Sequence, residues 1–317
     1  MRAVELGLLA VDQQDETEIL RVFNSLRELG IRLIREEKAG SRRQELESGS
    51  EAQKIIAEIG EIGAAASKAK IPLGVFAGAV SLGGLGQEAA KAGNSELLLR
   101  AAQALGELGK TAARAKLELP FRVTASALRE IGKEAAGQKM EEACIASQLL
   151  LKELGELAVQ EKECFGFGEL SNCILGSLRE IGKEAAGEGL ETAAASVGVL
   201  LEAAQLRLNS EFSKLGMRNF GERRYYEESC NAPQCLGELG IISAQQQLKN
   251  VAAQAYLSLG LIRKDAAARY LGNTALNAEA QLASFEGVIF LSESAKENRK
   301  DVEKLQAEIS GRLGQVF

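Results

Sequence analysis

A repeat of 23 residues is the feature that most restricts how this chain can fold. Its pattern is an aliphatic residue, two variable residues, Leu or Ile, and then Gly. Copies begin at residues 59, 82, 105, 128 and 151, which are four equal steps of 23. The decapeptide LREIGKEAAG occurs unchanged at 128–137 and 178–187, and weaker copies begin at residues 26, 201, 236 and 256. Because chance does not produce four equal steps in succession, the pattern predicts a fold built from internal repeats.

Each repeat has the spacing of an α-helix. Leu128, Ile131 and Ala135 follow one another at steps of 3 and 4 residues, which places them on one helical face. We therefore expect helices of about 18–20 residues, joined by short connections near the Ala-Ala-Gly segments, where Gly can end a helix. Short connections make consecutive helices antiparallel. The predicted fold is all-α, an α-solenoid of antiparallel helices in which two 23-residue units form a 46-residue helical hairpin.

The glycine of the motif falls inside these helices, where it should cost about 1 kcal/mol relative to alanine. A cost repeated at the same position predicts a packing benefit, namely a close approach of neighbouring helix backbones. The alternative is that duplication copied an ancestral glycine that has no present role. The motif glycines are Gly63, Gly86, Gly109, Gly132, Gly155, Gly182, Gly240 and Gly260.

The motif resembles a known class of repeats. The pattern LGEIGKxAA, clearest at 105–113, 128–137 and 178–187, is similar to the short HEAT-like repeats found in many prokaryotic proteins. The resemblance extends over about residues 26–261. It implies an α-solenoid whose faces bind other molecules.

The first and last copies of the repeat divide the chain into three regions. Residues 1–50 are expected to form N-terminal helices and a charged loop (35–50) that cap the solenoid. Residues 51–262 form the solenoid itself, and residues 263–317 form C-terminal helices that act as a cap or a coiled coil. The repeat is interrupted near 164–168 and, over a longer stretch, at about 207–235.

The insertion at 207–235 is the predicted partner-binding site. Insertions of repeat proteins often map to a binding face, and Arg and Tyr are enriched in binding hot spots. The alternative is an irregular helical pair that buries its aromatic side chains locally. The candidate residues are Arg218, Phe220, Arg223, Arg224, Tyr225 and Tyr226.

The C-terminal segment carries a heptad seam that begins at Val288. Apolar residues follow at steps of 3 and 4, with one polar Asn298, and the seam slips by one residue at Arg312. One interpretation is a coiled-coil helix that forms a homodimer. The other is a terminal helix that covers the last face of the solenoid. The candidate residues are Leu291, Val302, Leu305, Ile309 and Leu313.

Composition excludes several classes of function. The chain has no histidine, which removes Ser-His-Asp catalysis, Cys-His catalysis and His-ligated zinc. Its net charge of -6 argues against nucleic-acid binding. The five cysteines are scattered without CxxC spacing, which is typical of reduced cytoplasmic thiols. The longest uncharged stretch, Ile71 to Gln87, is too short to span a bilayer. We expect no metal, no cofactor and no direct membrane insertion.

One segment matches a loose nucleotide-binding pattern. Residues 104–111, ALGELGKT, satisfy [AG]xxxxGK[ST], but they are the helical repeat itself. Backbone amides inside a helix are already hydrogen-bonded and cannot cradle a phosphate. We therefore interpret this match as structural.

These observations favour a non-enzymatic protein–protein interaction scaffold or regulatory adaptor. One alternative is a cytosolic module of a membrane or transport assembly. Another is a chromophore or small-ligand lyase of the HEAT-repeat type that uses a cysteine such as Cys164.

Overall fold

A computed structural model of the chain describes residues 3–39, 42–160, 167–214 and 232–286. These residues form helices and no strands, so the predicted all-α fold is confirmed over the part that is described. The helices are α1 Ala3–Asp12, α2 Glu16–Ala39, α3 Arg42–Lys68, α4 Pro72–Ala92, α5 Ser95–Arg114, α6 Glu118–Gly137, α7 Glu141–Gln160, α8 Phe167–Gly187, α9 Glu191–Lys214, α10 Ala232–Gln245, α11 Lys249–Ala268 and α12 Gly272–Glu286.

The chain divides into two compact units, Met1–Phe165 and Gly166–Phe317. Within each unit, every described helix packs against the next helix and against the one after it. This pattern produces two layers in the first unit, with α1, α3, α5 and α7 in one layer and α2, α4 and α6 in the other. In the second unit, α8, α10 and α12 form one layer and α9 and α11 form the other. Each unit is therefore a two-layered α-solenoid, as the repeat predicts.

Helix lengths match the repeat period closely in the first unit. Helices α5, α6 and α7 each contain 20 residues, as predicted, and they begin at residues 95, 118 and 141, which are 23 apart. The aliphatic motif residues are fully buried, as at Leu105, Leu128 and Ile131. One repeat is therefore one helix and its connection, and its apolar face forms the core between the layers.

The predicted charged loop at 35–50 is mostly helical in the structure. Helix α2 continues to Ala39 and α3 already begins at Arg42, so the interruption of the repeat lengthens two helices. Glu, Lys, Arg and Gln are good helix formers, and this segment is rich in them. The high charge, from which a loop was expected, is therefore compatible with a helix.

The helix ends use glycine less often than the sequence analysis expected. Gly93 and Gly189 do adopt the left-handed conformation, with φ of 77° and 74°. Gly137 is instead the last residue of α6, and Lys139 takes the left-handed position with φ of 57°. The next residue then donates its N–H to a carbonyl five residues back, from Met140 to Ala135 at 2.8 Å. Besides Lys139, the non-glycine residues that have a positive φ at described helix ends are Gln14, Lys70, Lys116, Gln247 and Tyr270.

The motif glycines of the first unit allow close packing between helices of the same layer. A Cβ atom added at Gly86 in α4 would lie 2.8 Å from Cγ1 of Ile131 in α6. The contacting side chain belongs to the aliphatic residue 45 positions later in the sequence. That residue directly precedes the motif glycine of the next helix in the same layer. The same step joins Gly63 to Leu108 and Gly109 to Leu154.

In the second unit the predicted close approach occurs at one motif glycine and not at another. A Cβ atom at Gly182 would lie 2.8 Å from Cγ1 of Val197, which belongs to the next helix in the chain. At Gly260 it would meet nothing within 4 Å. The packing role predicted for the motif glycine is thus confirmed for Gly63, Gly86, Gly109 and Gly182, and it is wrong for Gly260 as far as the described residues go.

Candidate interaction surface

Both sites predicted from the sequence lie outside the described residues. Helix α9 ends at Lys214 and α10 begins at Ala232, so both ends of the 207–235 insertion are helical and its middle part, which holds the candidate residues, falls between the two helices. Its candidates Arg218, Phe220, Arg223, Arg224, Tyr225 and Tyr226 remain a prediction. The C-terminal seam, with Leu291, Val302, Leu305, Ile309 and Leu313, follows the last described residue, Glu286.

The segment that matches a nucleotide-binding pattern lies in the middle of α5. The Lys110 ammonium group binds the carboxylates of Glu107 at 2.8 Å and of Glu153 at 2.7 Å. Thr111 donates its hydroxyl to the carbonyl of Leu108 at 2.8 Å. The interpretation of this match as part of the helical repeat is therefore confirmed, since its side chains tie α5 to itself and to α7.

Two of the cysteine thiols are deeply buried. Cys144 and Cys235 expose 0% and 3% of their surface. Burial raises the pKa of both thiols to about 12, so neither is a ready nucleophile at neutral pH. Cys164 and Cys230 lie outside the described residues, and the lyase hypothesis, which rests on Cys164, is not tested.

The uncharged stretch from Ile71 to Gln87 forms most of α4. This helix packs against α2, α3, α5 and α6, which buries much of its length and explains the absence of charge on those faces. One stripe of the helix nevertheless stays accessible. Leu73 and Val80 are 37% and 39% exposed, and Phe76 between them is half-buried. Their spacing of 3 and 4 residues places all three on one face.

A further apolar side chain lies beside this stripe on α6. A Cβ atom at Gly83 of α4 would lie 3.0 Å from Cβ of Ala127 in α6, so residues 44 apart are level in these two helices. By that register Leu119, which is 62% exposed, lies beside the segment 73–76. We call Leu73, Phe76, Val80 and Leu119 the α4–α6 apolar surface.

Two of the three corresponding positions in α5, a helix of the other layer, are polar, and the third, 23 positions after Phe76, is Leu99. Residues 96 and 103 of α5, which lie 23 positions after Leu73 and Val80, are glutamate and glutamine. An apolar stripe is therefore not a requirement of the repeat. Three large apolar side chains that stay accessible on neighbouring helices are typical of a binding surface.

Polar contacts join α2 and α4 near their C-terminal ends. The Arg35 guanidinium group donates to the carboxylate of Glu88 at 2.7 Å, and Lys38 donates to the carbonyl of Lys91 at 2.8 Å. The hydrogen bond from Arg35 holds the pKa of the Glu88 carboxyl below its usual range. A surface depression of about 510 Å³ follows α2 beside these contacts, lined among the described residues by Arg27, Glu28, Ile31, Arg32, Arg35 and Glu36.

The lowered pKa of Glu88 predicts a stability difference that depends on pH. A carboxyl whose pKa is lower in the folded state stabilises the fold above its ordinary pKa, and that contribution is lost as the pH falls through the folded-state pKa. We expect Glu88→Gln to lower the free energy of unfolding near neutral pH and to have little effect below about pH 3. Urea unfolding at a series of pH values measures this. In an Arg35→Gln background the pH dependence of the Glu88→Gln effect should disappear, and its persistence there would show that another group causes it.

A chain of partly buried polar contacts joins α9 and α11 in the second unit. Asn250 donates to Glu191 at 3.0 Å, Ser258 donates to Glu202, and Asn209 donates to Asp265 at 3.0 Å. Gln254 lies in the same contact with 1% of its surface exposed, and neither its amide nitrogen nor its amide oxygen has a described partner. This contact differs from that between α4 and α6, where glycine meets alanine and isoleucine.

The unpaired amide of Gln254 predicts a stabilising substitution. A buried amide without hydrogen bonds is desolvated without compensation, so Gln254→Met should raise the free energy of unfolding by about 1–2 kcal/mol. Urea unfolding followed by circular dichroism measures the change. Asn209→Leu is the control with the opposite sign, because the buried amide of Asn209 accepts from Gln205 at 3.0 Å and donates to Asp265 at 3.0 Å. A loss of stability with Gln254→Met would mean that the amide is hydrogen-bonded in solution.

The described residues contain no group of three His, Cys, Asp or Glu side chains that could hold a metal ion. None of the described helices is both long enough and apolar enough to cross a membrane.

The stacked layers and the repeated motif define the chain as an all-α helical repeat protein. No known family and no curated protein matches it. A solved structure described as "Circular tandem repeat protein with novel repeat topology and enhanced subunit contact surfaces" is similar to it over 99% of this chain and 75% of that chain. Sequence identity is 19% and the TM-score is 0.47, which is too weak a similarity to carry a functional argument.

Proposed function

We propose that this chain is a non-enzymatic protein–protein interaction scaffold of the HEAT-like repeat type, and that its first unit holds a partner on the α4–α6 apolar surface. The accessible stripe of Leu73, Phe76 and Val80 supports the proposal, because the repeat itself does not require apolar side chains there. The alternatives of a membrane-assembly module and a lyase have no comparable support among the described residues.

The surface suits a helical partner. The side chains of Leu73, Phe76 and Val80 form a ridge along α4, and Leu119 lies on the neighbouring helix beside it. Ridges and grooves between parallel helices accept apolar side chains spaced 3 and 4 residues apart, as on one face of an amphipathic helix. Covering a large aliphatic side chain contributes about 1.5–3 kcal/mol.

The backbone below this surface is held in place before a partner binds. Helix α4 packs against four other helices, and Gly83 and Gly86 bring it close to α6. A rigid surface loses little conformational entropy on binding, which favours affinity. The ion pair between Arg35 and Glu88 also ties α2 to α4.

The proposal also covers the cellular location of the chain and the kind of partner that it binds. An acidic chain with scattered thiols is expected in the cytoplasm, with a protein partner and without nucleic acid. The insertion at 207–235 stays a second proposed contact.

Affinity capture from the source cells tests the proposal with matched variants. The bait is the full chain, either unchanged or with Val80→Glu and Leu119→Glu. The control bait carries Gln103→Glu and Leu276→Glu, which add the same charge at exposed positions that do not belong to the surface. We expect proteins retained by the wild type and the control bait to be lost with the surface variant. A purified candidate should then bind the surface variant about tenfold or more weakly, because accessible apolar anchors dominate binding energy.

Two outcomes would contradict the proposed surface or function. Retention of every partner by the surface variant would exclude the α4–α6 apolar surface. If those partners were lost only when Arg223, Arg224, Tyr225 and Tyr226 become alanine, the insertion would be the binding site. A chain that retains no protein in any form would overturn the scaffold function.

A further inference from the structure

Four basic side chains lie at one end of the α4–α6 apolar surface. Leu73 and Leu119, the first residues of that surface on each helix, each follow a lysine by three positions. A second basic residue precedes that lysine by two positions, in the last turn of α3 or of α5. All four side chains are exposed. They are Lys68, Lys70, Arg114 and Lys116, which we call the basic end.

The two pairs of basic residues are neighbours because successive helices of each layer are level. A Cβ atom added at Gly60 of α3 would lie 3.7 Å from Cβ of Ala104 in α5, which is 44 residues later. Gly83 and Ala127 show the same step between α4 and α6. The basic residues repeat at a similar step, from 68 to 114 and from 70 to 116. Since packed helix axes are about 8–10 Å apart, the four charges act on one region of the surface.

Most of the basic end has no compensating carboxylate. Lys68, Lys70 and Arg114 form no ion pair with any residue that the structure describes. The carboxylate of Glu118, at the start of α6, is already paired with Arg122 of the same helix. Positive charge is therefore concentrated here in a chain whose net charge is -6, and such a patch attracts acidic groups.

Three other connections of the first unit lack this excess of positive charge. Residues 12–16, before α2, contain three carboxylates and no basic residue. At the far end of α4, Lys91 lies near the carboxylate of Glu88. At the far end of α6, Lys139 is followed within three residues by two glutamates. The excess therefore marks one end of the α4–α6 apolar surface and gives that surface a direction.

The first turns of α4 and α6 add partial positive charge at the same end, as helix N-termini do. Ile71 and Leu117, which precede these two helices, form no capping hydrogen bond through their side chains. At the start of α5, by contrast, the side chain of Asn94 accepts from the N–H of Leu97 at 3.0 Å. The two helix ends thus reinforce the preference of the basic end for carboxylates.

We propose that the partner on the α4–α6 apolar surface is an amphipathic helix with acidic side chains where it meets the basic end. This inference rests on the proposed function, because it describes the partner of the same surface. The stripe from Leu73 to Val80 runs along α4 for about 10 Å, or two turns. Apolar residues of the partner spaced 3 and 4 apart cover that length, and carboxylates in the adjoining turn reach the basic end. A flat lipid surface would meet the ends of the helices and leave most of the stripe uncovered.

Carbodiimide cross-linking tests the proposed pairing directly. The reagent joins a lysine to a carboxylate in contact with it and inserts no spacer. The probe is a purified protein that was captured by the full chain and lost with Val80→Glu and Leu119→Glu. We expect peptide mass mapping to find Lys70 or Lys116 joined to Asp or Glu of that protein, within about two turns of apolar residues spaced 3 and 4 apart.

Charge reversal with a matched control measures the contribution to affinity. The basic-end variant carries Lys70→Glu and Arg114→Glu, and the control carries Lys139→Glu and Lys91→Glu. Lys139 has the left-handed backbone of Lys70, and Lys91 lies in the last turn of its helix as Arg114 does. We expect the basic-end variant to bind the purified protein about tenfold more weakly at low ionic strength, and less so at high salt. The control should change affinity by less than about twofold, and circular dichroism checks that both variants are folded.

The outcomes separate this inference from the proposed function. If the basic-end variant binds as tightly as the wild type, or if both charge variants lose affinity equally, the acidic helix is wrong while the α4–α6 apolar surface stands. Cross-links that come only from lysines outside the basic end lead to the same conclusion. A chain that binds no protein in any form removes the scaffold function, and this inference with it.

Flotation with phosphatidylserine vesicles tests the other class of acidic partner. We expect no difference in flotation between the wild type and the basic-end variant. Flotation of the wild type that is lost in the basic-end variant, with no cross-link from Lys70 or Lys116 to a protein, would assign the basic end to an anionic membrane and overturn the acidic helix.

Discussion

Replacing Ile131 by alanine is expected to lower the free energy of unfolding by about 2–5 kcal/mol. Ile131 is fully buried, and its Cγ1 and Cδ1 lie directly beside the backbone at Gly86. Truncation removes buried methyl and methylene groups and leaves a cavity between α4 and α6, because two backbones already in contact cannot move together to fill it. Urea unfolding of the full chain, followed by circular dichroism, measures the loss.

The control for this substitution lies on the same helix. Leu119 is 62% exposed, so Leu119→Ala should change the free energy of unfolding by no more than about 0.5 kcal/mol. A loss below about 1 kcal/mol with Ile131→Ala would mean that the aliphatic motif residue does not pack between helices as described.

The second large effect is a loss of stability caused by adding one methyl group. Gly86→Ala improves helix propensity, yet its Cβ would overlap the side chain of Ile131. Overpacking of this kind costs about 1–3 kcal/mol, so we expect a net loss in urea unfolding. Gly176→Ala is the matched control, because it lies inside α8 with nothing within 4 Å and should gain about 0.5–1 kcal/mol.

The two substitutions should also interact. In an Ile131→Ala background the added methyl group at residue 86 enters a cavity, so it should no longer destabilise the fold. A double-mutant cycle should then give a coupling energy of about 0.5–3 kcal/mol. Simple additivity would show that the methyl group and the isoleucine do not compete for one space.

These effects explain why the motif pairs an aliphatic residue with glycine. The aliphatic residue of one helix needs a partner helix without a side chain at the contact point, and the glycine two helices earlier supplies it. Because every helix of the first unit carries both residues, the contact repeats along each layer.

The candidate surface could be predicted only in part. The absence of charge from Ile71 to Gln87 was visible in the sequence, but it was used only to exclude a membrane span. Which uncharged side chains stay accessible depends on the helices that surround α4, and the sequence does not give that directly. Leu73 and Val80 are exposed while Val75 and Leu82 are fully buried, although all four are similar in type.

Local periodicity determined the all-α fold, the helix length and the step of 23 residues, because helical spacing and short connections are properties of neighbouring residues. Tertiary structure decided which helix fills the space at each motif glycine, since that contact joins residues 45 positions apart. It also decided that Lys139 and not Gly137 adopts the left-handed conformation at the end of α6, and that one face of α4 stays open. Repeats with nearly the same sequence differ in these respects because each packs against different neighbours.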